Sequence, residues 1–353
     1  MSRKVAWGLI LVTLVGSSLI RQLHEFIPEW TPLPWPLRSP LYAFLVVLFL
    51  LLLAASESSS RRSKARETGG VPLGALAPLL IAVVYEKVLS ITLYEALLTH
   101  AIRYPFIRDH LDSWIHILVG LGMMTGVLLL LPLMRTVRPA RFVTSRQIRS
   151  GFYLHCFALL GAYMLLGGLL VLMGDLTSQP TLMFPIGTAA ITLALGQVVR
   201  AMAEEFYYRG LLQRELAGLA SALGFRNRRN GQAVAIALIS LGFGIEHFRF
   251  GAPLAESYTG FAYAVAAGFL FGYLLVLTGN VFFCGLVHAT NNLVTAGLMP
   301  HLTSPDGLYL VPTEPLLYLY LIWVFLLVFL VAGLSRGNFR SLFLADSEPS
   351  ARA

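Results

Sequence analysis

Long apolar segments recur along the whole 353-residue chain, and they constrain its fold more than any other feature. Several extend for about 18 residues or more, enough for a helix to cross the hydrocarbon core of a bilayer. Hydrophobic residues make up 57% of the chain and charged residues only 12%. Because lipid offers the backbone no hydrogen-bonding partners, runs of this length indicate helices rather than barrel strands. The sequence therefore predicts an all-α, polytopic transmembrane helical bundle of about eight to ten spans in contact with the lipid bilayer.

The predicted spans divide the chain into three regions. Residues 1–180 contain about five spans with only scattered polar residues. Residues 184–300 contain nearly all the concentrated polar residues, and residues 301–353 contain a final span and a tail. The first apolar run lacks a small-residue cleavage site and is interpreted as a span rather than a secretory signal. The predicted spans are 5–21, 40–55, 72–98, 113–134, 151–174, 184–208, 231–250, 259–278, 281–299 and 315–335.

The positive charges indicate the orientation of the chain. With the amino terminus in the cytoplasm, most of the 26 Lys and Arg residues fall in cytoplasmic segments, among them "RRSKAR" at 61–66 and "RNRRN" at 226–230. The positive-inside rule therefore predicts cytoplasmic amino and carboxyl termini, in a plasma or inner membrane. The net charge of +8 reflects this topology, and no nucleic-acid partner is expected. Both cysteines fall within apolar runs, so neither a disulfide nor a cysteine metal site is predicted.

The sequence "AMAEEFYYRG" at 201–210 contains two adjacent carboxylates, Glu204 and Glu205, next to an apolar run. Successive helical residues point in directions about 100° apart, so the two side chains are predicted to have different partners. Arg209 follows Glu205 by four residues and can pair with it on one face, and Arg200 precedes Glu204 by the same interval. We therefore predict a structural ion pair for Glu205 and a working role for Glu204.

Two further polar pairs, each with a four-residue spacing, follow on later spans. Phe243 and His247 lie near the end of one span, and His288 and Asn292 share a face of the span that begins at Val281. A rise of about 1.5 Å per residue places His288 roughly 10 Å from that end, a depth close to the one predicted for Glu204. Ionisable groups within spans usually face a bundle interior, so these segments are expected to form one polar site.

Glycines give three further expectations. Gly210 predicts that its span ends near this position and that the following residues form an amphipathic helix along the cytoplasmic interface. A straight helix would carry His247 towards the outer face. Its span is therefore expected to start later, to tilt, or to break at Gly242 and Gly244, unless the alternation of spans is wrong in this region. Gly268 and Gly272 are predicted to let their helix approach a neighbour closely.

Together, the patterns E-E-x-x-x-R, F-x-x-x-H and H-x-x-x-N resemble the CPBP family of intramembrane proteases, which includes the CAAX-processing endopeptidases of the Ras-converting type and bacteriocin-processing proteins. The resemblance covers about residues 195–300. It implies that Glu204 and His247 activate a water that attacks a peptide carbonyl. It also implies that His288 and Asn292 donate hydrogen bonds to the developing oxyanion. The supporting positions in the same motifs are Glu205, Arg209 and Phe243.

A zinc-dependent chemistry fits the same residue types. Two histidines and one glutamate form a known catalytic zinc set, which here would be Glu204, His247 and His288. The sequence has no H-E-x-x-H motif on one helix turn, so its spacing does not require a metal. A glutamate-type intramembrane protease without a cofactor is therefore favoured, and a zinc metalloprotease is the alternative.

A non-catalytic function would use the same residues. A transporter would relay protons or substrate through Glu204 and the histidines, and an immunity-type protein would bind without cutting. The lack of a clear internal repeat and the clustering of the motifs favour hydrolysis. The expected substrate is a membrane-associated peptide or protein that is cut near the cytoplasmic face. Glu86 and Lys87, adjacent in the third predicted span, are interpreted as a packing ion pair.

Overall fold

The computed structural model is helical, as the sequence predicts, and also contains one short pair of strands. The strands β1 (Thr181–Met183) and β2 (His301–Thr303) pair in antiparallel register, with Thr181 opposite Thr303. This pair is the departure from an all-α fold. The residues that the structure describes are 1–26, 46–49, 51–52, 71, 73–99, 110–134, 137, 142–172, 181–183, 187–220, 222–225, 227–248, 253–296 and 301–303.

Nine α-helices with described bounds and a π-helical segment make up most of the described helical structure, and residues 46–49 and 51–52 are also helical. The α-helices are α1 (Arg3–Phe26), α2 (Leu73–Thr99), α3 (Leu111–Leu130), α4 (Ser145–Leu172), α5 (Thr188–Glu204), α6 (Arg214–Leu219), α7 (Arg228–Glu246), α8 (Leu254–Thr278) and α9 (Val281–Thr295). A single 3-10 turn, Leu131–Leu133, follows α3, and the π-helical segment Glu205–Gln213 joins α5 to α6.

Within the described residues, three helical stretches are long and apolar enough to cross a membrane. They are Leu73–Leu93, Ser113–Leu133 and Leu254–Thr278, and Val281–Val294 is a shorter apolar helix. These stretches overlap predicted spans and support a helical membrane protein. The total number of spans and the orientation of the termini stay predictions. The predicted span 315–335 and most of 40–55 lie outside the described residues.

The chain forms two compact units, each built from three separate segments. Unit 1 contains Met1–Arg103, Leu121–Phe142 and Phe206–Tyr273, whereas unit 2 contains Tyr104–Gly120, Val143–Glu205 and Leu274–Ala353. The units therefore interleave along the sequence. The division into 1–180, 184–300 and 301–353 was drawn from the distribution of polar residues and stays a prediction.

In unit 1, α1 packs against α2 and α7, and glycines on α7 and α8 allow close helix contacts. A Cβ atom at Gly268 would lie 2.9 Å from the Cα of Ser240, and one at Gly272 would lie 2.9 Å from a methyl carbon of Ile236. The predicted close approach of this helix is confirmed. The predicted break within 242–244 is wrong, because α7 continues unbroken to Glu246. A Cβ at Gly244 would lie 2.2 Å from Val265, so this glycine serves helix packing rather than a kink.

In unit 2, α9 packs against α5 and α4. The turn before α9 sets where this helix begins: Gly279 has a positive φ of 66°, and Asn280 caps the helix by accepting a hydrogen bond from the Phe283 amide at 3.1 Å. The amide nitrogen of Asn280 also donates to the Gln147 carbonyl at 2.8 Å, which ties the turn to α4. A Cβ at Gly285 would lie 2.5 Å from the Met202 sulfur, so α9 lies directly against α5.

The helix that carries the two adjacent glutamates does not end at Gly210. It changes from α to π geometry at Glu205 and continues as α6 to Leu219. Residues on several sides of this continuation are buried, including Leu212 and Glu215. The predicted end near Arg209 and the predicted amphipathic surface helix are therefore wrong. Gly210 lies inside a buried helix, where tertiary packing overrides its weak helix propensity.

Candidate active site

The carboxylate of Glu204 lies between a guanidinium and an imidazole. Its Oε1 accepts a hydrogen bond from Arg200 Nε at 2.7 Å, and its Oε2 lies 3.7 Å from His288 Nε2. The Glu204 side chain is 8% exposed, and that of Arg200 is 24% exposed. The four-residue spacing predicted that Arg200 and Glu204 share a face of the helix, and the structure places them in direct contact.

Glu205 contacts the other ring nitrogen of the same histidine. His288 Nδ1 lies 2.9 Å from Glu205 Oε1, and both side chains are buried. Since a carboxylate can only accept, Nδ1 carries the proton in this hydrogen bond. The two adjacent glutamates thus reach one imidazole from different sides. Neighbouring helical residues point in different directions, as expected, yet Glu204 and Glu205 share His288 because each contacts a different nitrogen of its ring.

The packing of α5 against α9 brings the two glutamates and His288 together. Gly285 lies one turn before His288 and lets α9 approach Met202, which is two residues before Glu204. The 3.7 Å contact brings the side chains of Glu204 and His288 together, and their depth in the membrane stays a prediction. Glu204 ends α5 and Glu205 begins the π-helical segment. Such segments are rare and frequently occur at functional sites.

Two residues that the motifs do not include extend this arrangement. His116 Nδ1 lies 2.9 Å from a terminal nitrogen of Arg200, and His116 Nε2 lies 3.2 Å from the Gln197 amide. We refer to His116, Gln197, Arg200, Glu204, Glu205 and His288 as the Glu204 cluster. Sequence analysis passed over His116, although an ionisable residue inside a predicted span is itself a signal of function.

Asn292 lies one helical turn after His288 on α9, as predicted from the sequence. Its Oδ1 accepts a hydrogen bond from the Asn291 side chain at 3.3 Å. Asn291 is buried and Asn292 is partly exposed. With its oxygen engaged in this way, the side chain has amide hydrogens to donate, as an oxyanion donor requires.

Phe243 and His247 lie in unit 1, where they contact one another. Their ring centroids are 4.5 Å apart, and His247 Nδ1 donates to the Phe243 carbonyl oxygen at 2.8 Å. This bond fixes the ring orientation and makes Nε2 the nitrogen that can accept a proton. Because Glu204 belongs to unit 2, joint action of His247 and Glu204 stays a prediction.

Arg209 is completely buried among aromatic rings of unit 1. Its guanidinium carbon lies 4.9 Å from the Phe243 ring centroid and 5.5 Å from that of Phe271. One terminal nitrogen donates to the Gly268 carbonyl at 3.4 Å. Arg209 therefore packs against the phenylalanine of the second motif, and its predicted pairing with Glu205 stays a prediction.

A second buried charged cluster lies in unit 1, around Lys87. The ammonium bridges the carboxylates of Glu86 and Glu246, so the predicted pair of Glu86 and Lys87 is confirmed and has a third member. Glu246 also accepts from the Tyr208 hydroxyl at 2.7 Å, and Glu86 accepts from Ser90 at 2.8 Å. We call these residues, together with Ser18, the Lys87 cluster. Ser18 lies 3.4 Å from Glu246.

The zinc alternative requires three ligands around one point. Among the described residues, no group of three or more His, Cys, Asp or Glu side chains is arranged to hold a metal ion. Oε1 of Glu204 is engaged by the Arg200 guanidinium, and His247 lies in the other unit from Glu204 and His288. The zinc metalloprotease therefore stays the alternative prediction.

Comparison with protein families identifies the class to which these motifs belong. Residues 186–294 match the family described as Type II CAAX prenyl endopeptidase Rce1-like. The segment is similar to this family, and we call it the Rce1-like domain for that similarity. The match confirms the resemblance to the CPBP family and supports an intramembrane endopeptidase.

The Rce1-like domain includes all the residues of the three motifs, from Glu204 to Asn292. It excludes His116 and Lys87, which contact the domain from earlier in the chain within their respective units. No curated protein and no solved structure matches the chain.

Proposed function

We propose that this protein is a glutamate-type intramembrane endopeptidase that cuts a membrane-associated substrate carrying a prenylated carboxyl-terminal peptide. The observation that carries the proposal is the buried Glu204 carboxylate, whose Oε2 faces His288 within a segment that matches an Rce1-like endopeptidase. A positioned carboxylate and imidazole can move protons to and from a reacting water. The substrate class comes from the name of the matched family, and the membrane character comes from the apolar helices.

In the proposed reaction, Glu204 Oε2 takes a proton from a water molecule whose oxygen attacks the scissile carbonyl carbon. The carbonyl double bond opens, and negative charge develops on its oxygen. When the carbon–nitrogen bond breaks, the proton held by Glu204 passes to the departing amine. The products are a carboxylic acid and a free amino terminus, so water is the only co-reactant. His247, with its ring fixed by Phe243, is proposed to assist in orienting the water.

His288 and Asn292 are proposed to stabilise the oxyanion. For His288 to donate from Nε2 while Nδ1 donates to Glu205, the ring must carry both protons. Glu205 is then proposed to orient His288, a role different from the ion pair with Arg209 that sequence analysis assigned to it.

The test uses purified protein and an internally quenched, farnesylated peptide ending in a CAAX sequence. We expect the wild type to cut the peptide and Glu204→Gln to be slower by about 10²- to 10⁴-fold, the usual contribution of a general base. Glu256→Gln is the matched control, because it makes the same change at an exposed residue of α8. Equal rates for Glu204→Gln and wild type would refute the assignment.

Two additional arms identify the chemistry and the substrate. Survival of cleavage in 1,10-phenanthroline supports the glutamate route, and loss that added zinc restores supports the metal route. Comparing peptide termini in membranes that contain wild type or Glu204→Gln reveals substrates other than CAAX peptides. No cleavage in either experiment favours the transporter or immunity-type binding function, which uptake into proteoliposomes then tests.

A further inference from the structure

The carboxylate of Glu204 is held by contacts that begin outside the Rce1-like domain. The guanidinium of Arg200 donates from Nε to Glu204 Oε1 at 2.7 Å and from a terminal nitrogen to His116 Nδ1 at 2.9 Å. His116 lies on α3 and within an apolar stretch long enough to span a membrane. All three residues belong to unit 2.

Only a guanidinium fits both contacts at once. Arginine presents several N–H donors in a rigid planar fork, whereas lysine carries one compact ammonium. The use of two different nitrogens fixes the plane of the fork relative to both partners. The orientation of the Glu204 carboxylate is therefore coupled to the position of the His116 ring.

In its contact with Arg200, His116 accepts a hydrogen bond through Nδ1. Because Arg200 can only donate, Nδ1 of His116 is unprotonated, and the proton of the neutral ring lies on Nε2. His116 Nε2 lies 3.2 Å from Nε2 of Gln197, and two N–H donors cannot bond to each other. Because the two ends of an amide are assigned from the hydrogen-bond network, we assign Gln197 the reversed orientation, in which its oxygen accepts from His116 Nε2.

Two glycines hold α3 and α5 close together around this contact. A Cβ at Gly196 of α5 would lie 2.9 Å from the Ser113 carbonyl oxygen and 3.1 Å from the Cβ of His116. A Cβ at Gly120 of α3 would lie 3.1 Å from the Cα of Arg200. One glycine on each helix thus permits the approach, which is an observation independent of the hydrogen bonds.

We propose that His116, acting through Arg200, is a positioning residue that fixes Oε1 of Glu204 and directs Oε2 towards His288 as the oxygen that accepts the proton of water. The inference rests on the proposed function, because it assigns a task to each oxygen of the proposed base. It gives the region before residue 186 a part in catalysis. Misplacing a catalytic group by about 1 Å can reduce a rate by about 10²-fold, so the effect is measurable.

The kinetic test compares His116→Ala, His116→Asn and the wild type on the farnesylated peptide. We expect His116→Ala to lower kcat by about 10- to 100-fold with KM changed less than about twofold, because the substrate is bound but the base is misplaced. The asparagine oxygen can still accept from Arg200, so His116→Asn should recover most of kcat. Thr192→Ala, at a partly exposed position of α5, is the control and should resemble the wild type.

The conservative change Arg200→Lys should lower kcat as much as His116→Ala, because the single nitrogen of an ammonium cannot occupy the two positions from which Nε and a terminal nitrogen of Arg200 donate. A His116→Ala enzyme with normal kcat would overturn the inference. Equal impairment of His116→Asn and His116→Ala would also overturn it, since the ring would then matter for its volume alone. If Glu204→Gln is inactive while these variants are normal, the inference fails and the proposed function stands.

A spectroscopic arm needs no substrate and so separates the two proposals. In protein labelled with ¹⁵N-histidine, the His116 signals are assigned by their loss in His116→Asn. We expect a neutral ring with the proton on Nε2 and a displaced Nδ1 signal in Arg200→Lys but not in Thr192→Ala. An unchanged Nδ1 signal in Arg200→Lys would overturn the inference even if the enzyme cuts the peptide.

Discussion

The Glu204 cluster and the Lys87 cluster both bury two carboxylates beside a cation, yet they use different partners. In the Lys87 cluster, the carboxylates of Glu86 and Glu246 accept from an ammonium and from hydroxyl groups. In the Glu204 cluster, the carboxylates meet a guanidinium and the two nitrogens of an imidazole. Imidazole is the partner that most readily takes and releases protons near neutral pH.

The difference also appears in the closeness of the contacts. Each oxygen of Glu86 and Glu246 accepts at least one hydrogen bond in the Lys87 cluster. Oε2 of Glu204 instead faces His288 across 3.7 Å, beyond hydrogen-bond distance. A fully satisfied buried network rigidifies a fold. We therefore predict that the Lys87 cluster contributes to stability, and under the proposed function reactivity is assigned to the Glu204 cluster.

Among the substitutions that test these two roles, the largest loss of kcat is expected at Glu205. Glu205→Leu should lower kcat on the order of 10³-fold, because it removes the carboxylate that orients His288 through Nδ1. Glu205→Gln should lower kcat less, since an amide oxygen can still accept from Nδ1. The measurement is kcat on the farnesylated peptide, with Glu256→Gln as the control for a Glu-to-Gln change. Normal kcat in Glu205→Leu, with melting temperature lowered, would return Glu205 to a purely structural role.

At Lys87 the expected effect is on stability. Lys87→Met leaves two buried carboxylates without their shared cation and should destabilise the protein by about 3–5 kcal/mol. A second change, Glu246→Gln, should restore part of this loss by removing one of the uncompensated charges. Thermal unfolding can be followed by the reactivity of the buried thiol of Cys284, in a Cys156→Ser background because Cys156 is exposed.

The same Lys87→Met protein sharpens the comparison through its activity. The folded fraction should cut the farnesylated peptide with a kcat within a few-fold of the wild type. An unaltered melting temperature together with a large loss of kcat would contradict the assignment, and the Lys87 cluster would then belong to the reacting site.

Helix positions were predictable because they depend on periodicity. The predicted span 113–134 corresponds to the apolar stretch Ser113–Leu133. The expectation that Glu204 and His288 share one polar site agrees with the 3.7 Å between their side chains. The F-x-x-x-H spacing likewise predicted two residues on one face, and the rings of Phe243 and His247 are in contact.

Features that depend on tertiary packing could not be predicted. The contact of His116 with Arg200 joins residues 84 positions apart, so it requires knowing how α3 packs against α5. Continuation of the helix through Gly210 depends on burial that outweighs local propensity. The pairing of Thr181 with Thr303 depends on backbone contacts between distant segments, and the sequence of these short segments does not indicate it. Local rules predicted the helices, and side chains from distant segments complete the candidate site.

The smallest effect on stability is expected for a substitution at Gly268. This residue is not part of the Lys87 cluster but belongs to the same unit. A Cβ there would lie 2.9 Å from the Ser240 Cα, and a backbone atom cannot move aside as a side-chain end can. Overpacking of this kind costs about 1–3 kcal/mol, and the better helix propensity of alanine offsets roughly 1 kcal/mol. Gly268→Ala should therefore lower stability by about 1–2 kcal/mol, measured by the Cys284 melt.

Substitutions at two other glycines serve as controls for the thermal unfolding of Gly268→Ala. A Cβ at Gly272 would meet the ends of the Ile236 and Gln213 side chains, which can shift, so Gly272→Ala should cost less than Gly268→Ala. A Cβ at Gly16 of α1 would meet nothing within 4 Å, so Gly16→Ala should be neutral or stabilising. If all three variants melt alike, close backbone approach does not stabilise α8 against α7. Arg209 donates a hydrogen bond to the carbonyl oxygen of Gly268. A loss of kcat in folded Gly268→Ala protein would therefore indicate that this hydrogen bond matters for catalysis as well as for stability.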